Sequence, residues 1–77
     1  MGSVEFERYE RALELARQFG DRLAEAQLYE QRAGDRVAAG QGEAVGDDLG
    51  RAESLFEDLG ASADLERVRQ LQESLST

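Results

Sequence analysis

From Val4 to Phe19 the apolar residues fall at Phe6, Tyr9, Leu13 and Ala16, at intervals of three, four and three. That spacing lays them along one face of an α-helix. Ala12 and Phe19 widen the stripe, while Glu7 with Arg11 and Glu14 with Arg17 are spaced for ion pairing on the wet side. Gly20 is a stop signal and Asp21 a candidate N-cap, so a second helix is predicted from about Asp21 to Ala39. Its best face is Ala26, Tyr29, Ala33 and Val37, with Leu23 and Leu28 to either side. Gly34 sits inside this run at a cost near 1 kcal/mol relative to alanine, which predicts either a close backbone approach or a break. The stretch from Gly40 to Gly50 holds four glycines, and residues 40–47 read as a flexible loop, with Asp47 or Asp48 capping the next helix.

That third helix, roughly Asp48 to Leu59, carries Leu49, Ala52, Leu55, Phe56 and Leu59 on one side. Gly60 ends it, and Ser62 or Asp64 opens a fourth with Leu65, Val68, Leu71 and Leu75 as its stripe. Nothing alternates with period two over a useful length, so no strand is predicted. The pattern therefore specifies an all-α fold of four antiparallel amphipathic helices, one domain over residues 4–77 after a disordered end at 1–3. The expected core is Tyr9, Leu13, Ala16, Ala26, Ala33, Val37, Ala52, Phe56, Leu59, Leu65, Val68 and Leu71.

Composition narrows the chemistry. The 77 residues include no cysteine and no histidine, which removes disulfides, thiol nucleophiles, His-ligated metals and the Ser-His-Asp arrangement. No apolar run approaches the roughly 20 residues of a membrane span. A chain this short, without disulfide or structural metal, builds a core with little margin and must rely on close helix packing, a partner copy, or both.

Charge decides the class of partner. The chain has 17 acids and 9 bases, a formal charge of −8, and every base is arginine. Such a surface repels nucleic acid and anionic lipid, so neither is expected as a partner. Arginine in place of lysine fits a high-GC genome, and excess carboxylate fits high salt. The composition resembles that of salt-loving archaea, where both traits occur together.

The glycine-rich segment follows a helix rather than the strand of a phosphate-cradling loop and lacks its cation, and its acids Glu43, Asp47 and Asp48 lack Ca²⁺-loop spacing. With this many acids, carboxylate pairs arise by chance. The expectation is no catalytic residue, no metal and no cofactor: a protein that is not an enzyme.

Gly20 and Gly60 end two similar strings, Leu13-Glu14-Leu15-Ala16-Arg17-Gln18-Phe19-Gly20 and Ser54-Leu55-Phe56-Glu57-Asp58-Leu59-Gly60. Ala52-Glu53-Ser54-Leu55-Phe56 matches an alanine-x3-aromatic step, Tyr9-Glu10-Arg11-Ala12-Leu13 an aromatic-x-x-alanine-leucine end, and Ala33-Gly34 and Val37 stand where leucine-glycine and tyrosine are usual. On these residues, over about 6–60, the chain resembles a tetratricopeptide repeat protein. Departures are Glu30 in place of a large apolar residue, Glu5 in place of alanine, and no closing proline. The interval between Gly20 and Gly60 exceeds the 34 residues of that repeat, and a glycine-rich insertion of about six would explain the excess. A plain four-helix bundle and a dimerising helical hairpin remain the alternatives.

The resemblance implies a non-catalytic, cytoplasmic adaptor or scaffold that binds a helix or extended peptide, and the acidic charge points to a basic or apolar partner. Tyr29, Gln31, Arg32 and Asp35 are the expected groove-facing residues. The alternative is a structural homo-oligomer, a helical dimer with no separate ligand.

Overall fold

The computed structural model describes the backbone of residues 3–76 and the side chains of residues 7–75. Met1, Gly2 and the Phe6 side chain therefore lie outside the described residues, while Ser3 is the first residue of a helix rather than part of a disordered end. Four helices account for the described chain: α1 (Ser3–Gln18), α2 (Arg22–Ala38), α3 (Gly42–Leu59) and α4 (Ser62–Ser76). No strand occurs among the described residues.

The three turns are built alike. Gly20, Gly40 and Gly60 adopt φ of 67, 75 and 69°, the left-handed region that a side chain disfavours. At each, the glycine N–H donates to a carbonyl three residues back (Arg17, Val37, Glu57). The following N–H donates five residues back, to Ala16, Arg36 and Phe56 at 2.8, 2.8 and 2.9 Å. This paired closure satisfies the carbonyls left open at each helix end. Asp21 then caps α2, its carboxylate accepting from the Ala24 N–H at 3.0 Å. Helix and turn thus repeat at equal intervals from Gly20 to Gly40 to Gly60. No six-residue insertion is present. The added length lies in the helices themselves, of 16, 17, 18 and 15 residues.

Two expectations fail at the glycines. Residues 42–47 are the first turns of α3, so the connection expected over 40–47 contracts to Gly40-Gln41. Extending the helix upstream buries Val45 completely, and Val45, Leu49, Ala52 and Phe56 form an unbroken stripe that outweighs the glycine cost. Gly34 marks neither a close approach nor a break, because α2 runs through it and a Cβ there would meet nothing within 4 Å.

Each helix packs chiefly on its neighbours in sequence, α2 against α3 most extensively, in a slab of 31 × 30 × 14 Å. The side-chain register sets α2 and α3 running in opposite directions. Arg22 near the start of α2 meets Asp58 near the end of α3, and Arg36 near the end of α2 meets the Ala44 carbonyl near the start of α3. One cluster of Leu13, Ala26, Tyr29, Ala33, Val45, Leu49, Ala52, Phe56 and Val68 forms the core. Ala16 is also buried, Leu65 and Leu71 pack half-buried against the cluster, and Tyr9 is half-buried. Val37 and Leu59 are not core; they are 40% and 41% exposed. Both lie in the last turn of their helix, where Arg36 rather than Val37 turns toward α3 and Asp58 rather than Leu59 meets α2.

Candidate functional site

The polar structure centres on the α2–α3 hairpin. Asp48, the residue expected to cap α3, lies instead within that helix with its carboxylate buried between two arginines of α2. Arg32 donates from Nη2 to Oδ1 at 2.6 Å and from Nε to both carboxylate oxygens at 3.1 and 3.2 Å. Arg36 donates from Nη1 to Oδ2 at 3.0 Å and to the Ala44 carbonyl at 3.3 Å. A carboxylate removed from water is stable only when its lone pairs are filled this way. Arg32, expected in the groove, is therefore first a partner of Asp48.

Tyr29, also expected to face the groove, is buried, and its hydroxyl takes part in half-buried hydrogen bonds. Arg17 of α1 and Arg51 of α3 both donate to that oxygen, Arg51 at 3.2 Å. The guanidinium carbons of Arg32 and Arg51 lie 5.5 and 5.6 Å from the centre of the Tyr29 ring, within range of cation–π attraction. Arg17 also pairs with Glu25 at 3.2 Å. Its guanidinium is held cationic above the ordinary arginine range, chiefly by Glu25 and then by the Tyr29 hydroxyl. Arg51 is shifted the same way by the Tyr29 hydroxyl.

Two clefts share the walls of this arginine-tyrosine group. One, of about 440 Å³, is lined by Glu10, Leu13, Glu14, Arg17, Tyr29, Arg32 and Arg51. The other, of about 340 Å³, is lined by Arg17, Glu25, Tyr29, Arg51, Ser54 and Leu55. A third and more apolar cleft of about 660 Å³ lies between α1 and α2, with Ala12, Leu28, Ala38 and Ala39 among its walls. Asp35 belongs to this third cleft, where it accepts a hydrogen bond from the Tyr9 hydroxyl. Gln31 is exposed and lines none of the three. The structure thus brings Tyr29 and Arg32 together and separates them from Gln31 and Asp35.

Sequence reasoning missed Arg17, Arg51, Glu10 and Glu14. Arg17 and Arg51 reach Tyr29 across separations of 12 and 22 residues, and no helical spacing along one segment signals such a meeting.

A separate set of ion pairs holds α4. Arg67 bridges Glu30 of α2 at 2.6 and 2.8 Å and Asp64 at 2.7 Å, and its guanidinium is held above the ordinary range by Glu30 first and Asp64 second. Arg69 reaches Glu53 at 3.1 Å and Glu57 at 3.7 Å. Glu30, a departure from the tetratricopeptide pattern, thereby joins α4 to α2. The face of α4 turned from the core is mostly polar, carrying Glu66, Arg69, Gln70 and Glu73.

Among the described residues no three Asp or Glu side chains are grouped to hold a metal ion, and no helix is long and apolar enough to cross a membrane. Compared with protein-family profiles, with curated protein sequences and with solved structures, the chain matches none.

Proposed function

We propose that this chain is a non-catalytic, tetratricopeptide-like interaction module that works as a cytoplasmic adaptor or scaffold in a salt-rich cell. It binds a helix or extended peptide whose character is basic or apolar. The observation that carries the reading is the cleft of about 440 Å³ that joins α1, α2 and α3, where Glu10 and Glu14 stand on the wall beside Leu13, Tyr29, Arg17, Arg32 and Arg51, with Arg17 and Arg32 already paired to Glu25 and Asp48. A chain of helices, each packed on the next, leaves such a groove open along its side. The equal helix-and-turn intervals and the polar outer face of α4, which suits a terminal cap, support the same reading.

Calorimetric titration of a basic amphipathic peptide at fixed salt tests it. Replacing both Glu10 and Glu14 with glutamine weakens binding about tenfold, a loss of about 1.4 kcal/mol. Equal affinity for the double variant, or for a peptide of reversed charge, rejects the reading.

Self-association has its own supporting observation. Leu15 of α1 and Phe19, in the turn just past its end, are 49% and 81% exposed. Sedimentation separates the two readings: a monomer favours the adaptor, whereas a dimer dispersed by Leu15→Ser with Phe19→Ser favours the homo-oligomer.

A further inference from the structure

The cleft of Arg17, Tyr29, Arg51 and Ser54 holds an arrangement that the basic-partner reading does not use. Six of the nine arginines, Arg17, Arg22, Arg32, Arg36, Arg67 and Arg69, lie within ion-pair distance of a carboxylate. Arg51, like Arg8 and Arg11, has no carboxylate at that distance among the described residues, and of these three it alone meets a second arginine at a shared hydroxyl. Its contacts are the hydroxyl and ring of Tyr29, at 3.2 and 5.6 Å. Arg17 converges on the same hydroxyl, and the two like charges repel.

A phenol oxygen has room for two donors, and each guanidinium presents five N–H groups in a planar fork. Donors therefore remain on both arginines after Tyr29 and Glu25 are served. Both arginines line a concave space together with Glu25, Ser54 and the apolar Leu55. Tyr29, 2% exposed, is a rigid anchor that holds the pair in place before any ligand arrives.

We propose that this cleft is an oxyanion subsite that takes one carboxylate or phosphate group from a side chain of the protein partner. The inference rests on the adaptor reading and sharpens it. The acids facing the group define what fits. Glu25 is occupied by Arg17, Asp47 acts on Arg51 only at longer range, and Glu10 and Glu14 line the adjoining cleft rather than this one. A single oxyanion enters beside Arg51, while its neighbours in the partner must be basic or apolar to lie over Glu10 and Glu14. A polyanion such as nucleic acid meets those carboxylates and the net charge of −8 and is refused.

The test uses the full chain at constant ionic strength and needs no partner. Inorganic phosphate and N-acetylglutamate amide are titrated separately while the arginine Nε–H signals are followed by NMR. Saturable shifts are expected at Arg17 and Arg51 with at least one of the two. Arg51→Gln weakens that binding at least tenfold, Arg51→Lys by a smaller factor because the fork is lost, and Arg11→Gln leaves it within twofold. Binding of both probes supports a general oxyanion site; binding of one identifies its source as phosphate or carboxylate. Shifts that stay linear, or are equal at Arg11 and Arg51, mean an adventitious ion only and overturn the proposal. Undiminished binding by Arg51→Gln overturns it as well. Arg51 is exposed, so its variants fold, and a helical circular dichroism spectrum checks this. Peptide binding with no anion binding removes the subsite and leaves the adaptor reading intact. Anion binding with no peptide binding does the reverse.

Discussion

Removing the Asp48 carboxylate is the sharpest test of how the hairpin is held. Its side chain is 1% exposed, and those of Arg32 and Arg36 are 11% and 20% exposed, so Asp48→Ala leaves two largely dehydrated guanidiniums facing each other. Four hydrogen bonds to the carboxylate vanish with it. Breaking a buried pair by deleting one partner costs about 3–5 kcal/mol. A domain of this length has about 4–12 kcal/mol in total. Asp48→Ala is therefore expected to lose at least about a quarter of that margin, and to unfold outright if the parent lies at its low end.

The assay is urea unfolding followed by far-ultraviolet circular dichroism, in moderate and in molar salt. Asp58→Ala is the control, because the Arg22–Asp58 pair is 51% and 57% exposed and such pairs contribute less than about 1 kcal/mol. Replacing Asp48, Arg32 and Arg36 together by Leu, Leu and Met separates charge burial from packing. That triple variant is expected to match the parent or exceed it, since apolar substitutes carry no dehydration penalty. If Asp48→Ala loses no more than Asp58→Ala, or if molar salt erases its loss, the carboxylate is solvated and the reasoning fails.

Three further outcomes are expected. Gly34, Gly46 and Gly50 are helical, with open space where a Cβ would sit, so replacing all three with alanine adds about 2–3 kcal/mol, raising Tm by roughly 10–20 °C; an unchanged melting curve contradicts this. Gly40→Ala forces a side chain onto φ of 75° and loses about 1–2 kcal/mol in the same assay, against a gain at Gly34. Finally, the Debye length is about 30 Å at 0.01 M salt and about 3 Å at 1 M, so in dilute buffer self-repulsion spans the 31 Å domain. Tm is expected to rise from dilute buffer to molar KCl, and a flat or falling curve counts against carboxylate repulsion as the dominant surface effect.

Much of the architecture was written in the periodicity. The stripes Leu13–Ala16, Ala26–Tyr29–Ala33, Ala52–Phe56 and Leu65–Val68–Leu71 all face the core or pack against it, and Gly20 and Gly60 end their helices. These are local signals, because the helical repeat sets which residues share a face and only glycine enters the left-handed turn without strain. Local signals misjudged the start of α3. Glycine density argued for a loop, yet burial of Val45 against the hairpin outweighed it.

What the chain alone determined, then, is its helices, its all-α class and an acidic surface, since these depend on residues within a few turns of one another. Tertiary structure decided the polar chemistry. It turned Asp48 from a cap into a buried anion, drew Arg32 and Arg36 onto it, and set Arg17 and Arg51 on Tyr29 from opposite flanking helices. The physical reason is that a charge's environment depends on which helix lies across from it, and that is settled only when the apolar faces dock.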